Sequence, residues 1–186
     1  MESVDVYNGK RERTGRVIGR NDPVESGEWL LVVHVCLFNS KGEMLIQKRQ
    51  DTKDRYPGCW DVSAGGFVRS GEESIDCVQR ELYEEIGLKV DRSALKFILT
   101  EPFSYVLDDF YLAFGDYAVE DMRLQAEEVS EAKWAGRQEI MEMLRSGSFV
   151  NYDMGLMERI FALAEENKAW AARPAQRGPE EKEETK

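Results

Sequence analysis

The chain is poor in the residues that staple small folds. Its 186 residues include three cysteines, Cys36, Cys59 and Cys77. They are odd in number, widely spaced and contain no C-x-x-C pair, which argues against a disulfide frame or a zinc site and for reduced thiols in a cytoplasmic protein. No apolar run approaches the roughly 18 residues of a membrane span, and residues 1–20 lack the apolar stretch of an export signal. Positive charge is scarce, with 25 Lys and Arg against 36 Asp and Glu and a net charge of −11. That balance disfavours nucleic acid or an anionic membrane as a partner. A small phosphorylated substrate stays open, because bound divalent ions can invert the local field.

What is present suits one globular domain over residues 1–172, with 42% hydrophobic and 33% charged residues. Val4–Tyr7 and Arg16–Ile18 read as a hairpin turning at Asn8–Gly9. "WLLVVHVCLFN" (Trp29–Asn39) is a buried strand, "MLIQKR" (Met44–Arg49) returns beside it, and "CWDVSA" is a short strand that the Gly65–Gly66 pair leaves. Ser70 to Glu73 matches a capping box opening a helix whose stripe is Ile75, Val78, Leu82 and Ile86, with Gly87 as its C-cap. Strands are expected at Leu95–Thr100, Phe110–Tyr117 and Ala132–Ala135, and helices at Arg137–Arg145 and Met154–Ala172. Residues 173–186 carry no apolar side chain larger than alanine or proline and read as a disordered charged tail. Mixed strands and helices predict an α/β layered fold with a mixed sheet.

The helix places Glu81, Glu84 and Glu85 at i, i+3 and i+4, where like charges cost about 0.2–0.5 kcal/mol per pair. Carboxylate oxygens are natural ligands of Mg²⁺ and Mn²⁺, and Mg²⁺ shares its remaining positions with waters and substrate phosphates. A cation among these carboxylates would relieve the repulsion. The alternative is a solvated acidic face.

The flanking residues decide between these. Gly66, Glu72, Arg80, Glu81, Glu84, Glu85 and Gly87, with apolar Leu82 and Leu88, fit G-x5-E-x7-R-E-U-x-E-E-x-G-U at every position. This stretch, residues 66–88, resembles the signature of the Nudix hydrolases. The resemblance implies a Nudix-type α/β/α sandwich with a mixed β-sheet, here with an N-terminal β-hairpin extension and a C-terminal helix. It implies hydrolysis of a diphosphate linkage in a nucleoside diphosphate derivative or related small diphosphate, with Mg²⁺, or Mn²⁺ in its place, and water as nucleophile. By position, Glu81, Glu84, Glu85 and the Gly66 carbonyl would hold metal. Glu81 or a glutamate outside the motif would act as base, and Arg80 would pair with Glu72 to brace the loop. Glu127 and Glu128 fall where the family often has a further metal ligand or base, and Asp108 and Asp109 are weaker candidates.

"VHVCLFNSKGEMLIQKR…YPGCWDVSAGG" resembles the branch around isopentenyl-diphosphate isomerase, in which a basic loop grips a diphosphate. Arg49 and Lys53 fall at such positions. Against isomerase chemistry, Gly65 stands at the catalytic cysteine, and Phe67 and Leu30 stand at metal histidines. The alternatives to a hydrolase are therefore such an isomerase with a different acid, or a nucleotide-sensing module without turnover. His34, the only histidine, reads as a core or pocket-wall residue, and Cys59 and Cys77 as packing. Trp60, Phe67, Phe103, Tyr105 and Phe110 could wall a substrate pocket or belong to the core. The hairpin could cover the site or pair with a second subunit in a homodimer.

Overall fold

The computed structural model describes residues 2–171. Strands β1 (Ser3–Tyr7) and β2 (Arg13–Gly19) pair antiparallel as a separate small sheet. Then come β3 (Leu30–Phe38), β4 (Met44–Arg49), β5 (Trp60–Asp61), β6 (Ala64–Phe67) and helix α1 (Ser74–Ile86). The chain continues through β7 (Lys96–Phe103), β8 (Val106–Phe114) and β9 (Val129–Ala135) into helices α2 (Arg137–Ser146) and α3 (Met154–Ala171). Strands β3 to β9 form one mixed sheet, in which β3 lies parallel to β8 while β4 lies antiparallel to β5 and β9.

Strand β3 shows why this sheet is a middle layer. Successive side chains point to opposite faces. Leu31, Val33, Val35 and Leu37 pack with Val78, Leu82 and Ile86 of α1. Cys36 and Phe38 pack with Ile140 of α2 and with Met157, Ile160 and Phe161 of α3. A strand covered on both faces must be apolar at nearly every position, which is how Trp29–Asn39 reads. The expected α/β/α sandwich with a mixed sheet is the fold observed.

One irregularity creates the site. β3 and β4 pair at Phe38 and Met44 and then part. The buried Ser63 bridges the gap. Its Oγ accepts the Leu37 N–H at 2.8 Å and donates to the Leu45 carbonyl at 2.6 Å. Beyond Ser63, β6 takes the place of β4 beside β3, with Gly66 opposite Val33 and Gly65 opposite His34. The Gly65–Gly66 pair, expected to leave its strand, thus lies inside one.

One other local expectation is corrected. α1 begins one turn later than the capping box implies, with Glu73 as its N-cap and no side-chain cap. Ser70 instead donates to Asp5 Oδ1 at 2.7 Å, and the Gly71 N–H donates to Asp5 Oδ2 at 2.9 Å, tying the hairpin to the helix entry. The first hairpin turns at Asn8–Gly9 as expected, the Arg11 N–H closing on the Asn8 carbonyl at 2.9 Å and Arg11 itself taking φ 63°. The C-cap is as expected. Gly87 has φ 75°, its N–H reaches the Tyr83 carbonyl and the Leu88 N–H reaches that of Leu82, a Schellman closure. The tail expected at residues 173–186 lies outside the described residues. No helix among the described residues is long and apolar enough to cross a membrane.

Candidate active site

The apolar stripe of α1 faces the sheet, so the adjoining arc turns its carboxylates toward β6. Glu81 and Glu85 are buried at 9% and 7% exposure, and Glu84 is exposed. Arg80 binds Glu72 through two parallel bonds, Nε to Oε1 at 2.9 Å and Nη2 to Oε2 at 3.0 Å. The same guanidinium reaches Glu81 Oε1 at 2.6 Å, Glu84 Oε2 at 3.2 Å and the Phe67 carbonyl at 3.1 Å. Its role as partner of Glu72 matches the expectation. Its grip on two of the motif carboxylates does not follow from the motif, and it relieves their like-charge crowding.

Glu85 lies deeper. It accepts the Gln47 side-chain amide at 2.7 Å and the Gly65 N–H at 3.1 Å. Burial and the charge of Glu81 push its pKa well above the usual carboxylate range, against the pull of those two donors. Burial also raises Glu81, against the attraction of Arg80. A Cβ built on Gly66 would lie 2.5 Å from the Glu81 carboxyl carbon and closer still to Oε1. Gln47 has a buried Oε1 with no hydrogen-bond partner. A polar residue at a core position of β4 was the available signal for Gln47, and sequence reading passed over it.

These observations test whether a divalent cation fits. Among the described residues, no three acidic, His or Cys side chains stand ready as a closed cage. Mg²⁺ does not require one, since it binds through one or two carboxylates and keeps several waters. The donors are all hard oxygens. Two of them belong to buried carboxylates that burial holds above their ordinary pKa, and an orphaned amide oxygen belongs to the neighbour of one. The residues fit the ion.

The basic candidates lie at the rim. Arg49 donates to Asp61 Oδ2 at 3.2 Å and to the Arg55 carbonyl at 3.1 Å. Lys53 forms an ion pair with Glu128. The Glu128 segment is pinned to the motif helix, since the Gln125 N–H donates to the Glu85 carbonyl at 2.9 Å. Glu127 is exposed and stands apart from these contacts.

Residues 29–153 match the NUDIX domain family model. The chain belongs to the Nudix hydrolase family. An uncharacterized Nudix hydrolase of Listeria monocytogenes is 39% identical over 152 residues, covering 82% of this chain and 90% of that one. The crystal structure of DR0079 from Deinococcus radiodurans superposes with a TM-score of 0.72 at 25% identity, covering 85% of this chain and 98% of that one. An isopentenyl-diphosphate Delta-isomerase of Halorhodospira halophila is 27% identical over 117 residues, 63% of this chain and 64% of that one. The chain is thus a pyrophosphohydrolase of a metal-using family with a relative in the isomerase branch.

In this Nudix domain the remaining candidates sort as follows. Asp109 is fully buried and is held by Thr100 at 2.6 Å and by Arg11 of the first hairpin, which makes it a structural lock. Asp108 Oδ1 meets His34 Nε2 at 3.1 Å. His34 Nδ1 meets the Tyr152 hydroxyl at 3.1 Å, and that hydroxyl donates to Asp61 Oδ1 at 2.7 Å. A buried chain of polar groups therefore runs from β8 through β3 to β5 and Arg49. Nothing near these residues in sequence signals it. Phe110 stacks on His34 in the core, while Phe103 is exposed. Cys77 is buried on the sheet-facing side of α1, and Cys36, Cys59 and Cys77 are all free thiols.

Proposed function

We propose that this Nudix hydrolase uses Mg²⁺, with Mn²⁺ able to substitute, to cleave the diphosphate linkage of a nucleoside diphosphate derivative or a related small diphosphate. The observation that carries the reading is the pair of buried, under-compensated carboxylates Glu81 and Glu85 against a glycine that leaves no room for a side chain. Glu81, Glu84, Glu85 and the Gly66 carbonyl would hold the ion. Once bound, a divalent cation supplies Lewis acidity and neutralises charge developing on phosphoryl oxygens.

The chain's own residues do the rest. Arg49 and Lys53 orient the substrate's diphosphate, with phosphate oxygens replacing Glu128 at the Lys53 ammonium. Glu128, released, or Glu81 takes the proton of the attacking water. The new P–O bond forms as the bridging P–O bond breaks, and the departing phosphate oxygen carries the electron pair away. Catalysis of this kind rests on positioning and electrostatics more than on covalent chemistry. Arg80 and Glu72 hold the Phe67 carbonyl and the motif loop in register. The free thiols fit a reducing, cytoplasmic setting.

Isomerase chemistry is disfavoured at position 65. A Cβ there would meet the Val33 carbonyl oxygen at 2.8 Å and His34 Nδ1 at 3.2 Å, so a catalytic cysteine does not fit this backbone. The test is a panel of nucleotide sugars, dinucleotides, nucleoside di- and triphosphates and isopentenyl diphosphate, incubated with Mg²⁺ and read by chromatography. Metal-dependent cleavage that drops by orders of magnitude in Glu85→Gln, with the fold kept, is expected. Near-wild-type turnover in both Glu84→Gln and Glu85→Gln, or isomerised prenyl diphosphate without hydrolysis, would overturn the proposal.

A further inference from the structure

A cavity of about 330 Å³ opens between the Arg20–Val24 link that joins β2 to β3 and the side chains of Arg55 and Tyr105. Two routes connect it to the site. On one side the Arg20 guanidinium lies 4.8 Å from the centre of the Phe67 ring, on the face of β6 opposite to that where Glu81 meets Gly66. On the other, the Arg55 carbonyl accepts the Nε bond of Arg49, which also holds Asp61. The hairpin's exit segment therefore walls a space across β6 from the motif carboxylates, reached through Phe67 and the Arg49–Arg55 loop.

The cavity is basic in an acidic chain. Arg55 donates to the Tyr105 hydroxyl at 2.6 Å, lies 5.9 Å from that ring's centre and forms no ion pair among the described residues. Arg20 shares Glu2 with Arg69, so one carboxylate serves two guanidiniums. Asp22 also lines the space, but one of its oxygens accepts the Gly19 N–H at 2.7 Å. A guanidinium fixed against an aromatic ring and lacking a carboxylate is preorganised for the planar, two-pronged binding of a phosphate.

We infer that this cavity is a second anion subsite. It binds a phosphomonoester carried by the substrate's organic portion, away from the cleaved diphosphate, and so selects substrates bearing that further phosphate. The inference rests on the hydrolase reading for where the scissile diphosphate lies.

Matched ligands differing by one phosphomonoester test it: NADP against NAD, and coenzyme A against dephospho-coenzyme A. Calorimetric titration without divalent metal keeps binding apart from turnover. The wild type should bind the phosphorylated member of at least one pair about tenfold more tightly, the size expected of one charge-assisted contact. Arg55→Ala should bring that ratio close to one, and Arg55→Lys should keep part of it. Equal affinities in both wild-type pairs, or an unchanged ratio in Arg55→Ala, overturn the inference. Turnover of the same four compounds with Mg²⁺ is followed in parallel. If none is cleaved, that counts against the hydrolase reading, while the affinity ratio still decides the cavity.

Discussion

Gly66 and Glu81 are packed so closely that the space a β-carbon would occupy at residue 66 is filled by the Glu81 carboxylate. The glycine is therefore required for room, not for turn geometry, since it sits inside a paired strand. Gly66→Ala should push Glu81 aside while leaving the core intact. A displacement near one ångström at a reacting centre can cost about a hundredfold. Turnover should fall by about that factor with an unchanged circular dichroism spectrum. Activity within a few-fold of wild type would mean that Glu81 is not held where this packing places it.

Arg80 and a cation answer the same need, because both bring positive charge to Glu81 and Glu84. Losing the partner of a largely buried ion pair costs about 3 kcal/mol. Arg80→Gln should lower the melting temperature clearly in the presence of a chelator. Millimolar Mg²⁺ should then restore more stability to the variant than it adds to the wild type, as binding to the folded state stabilises by mass action. Equal Mg²⁺ shifts in the two proteins would show that the guanidinium and the ion do not serve the same carboxylates.

Gly65→Cys asks whether the isomerase-like scaffold can be given back its acid. The new side chain would crowd the Val33 carbonyl at 2.8 Å. Overpacking of this kind costs about 1–3 kcal/mol. Urea denaturation should report that loss, and isopentenyl diphosphate should remain unisomerised. A stable variant that isomerises it would show that the backbone gives way more readily than its contacts suggest.

Much of this fold was legible in the sequence because burial leaves a local pattern. Apolar Trp29–Asn39 reads as a strand covered on both faces, and Met44–Arg49 falls where β4 lies. The motif carboxylates were equally legible, since their spacing on α1 is itself local. What escaped reading was pairing across long separations. Ser70 looks like a helix cap until Asp5, 65 residues away, claims its hydroxyl. Gly65 and Gly66 look like a break, because nothing nearby says that β3 will lie close enough to exclude a side chain at residue 65. Tyr152 and Asp61, 91 residues apart, meet because the segment between α2 and α3 runs beside β5, where Phe149 bridges to Trp60.

That meeting gives His34 a charge whose effect can be measured. The Tyr152 hydroxyl spends its proton on Asp61, so its oxygen accepts from His34 Nδ1, and Nε2 donates to Asp108. Both ring nitrogens then carry protons. Burial is the largest single influence and opposes the charged ring. The Asp108 hydrogen bond, with the charges of Asp108, Asp61 and Asp109, together outweighs it and raises the pKa above its ordinary 6.5. Tyr152 and the Asp61 partner Arg49 also belong to the polar network around this ring. A base whose folded pKa exceeds its unfolded value stabilises fully below the unfolded pKa and loses that contribution as pH rises through the folded one. The wild type should therefore lose melting temperature above about pH 6.5 more steeply than His34→Gln, both measured with chelator present. Parallel profiles for the two proteins would show that the imidazole is already neutral in the fold, and that the hydrogen-bond chain runs with the opposite polarity.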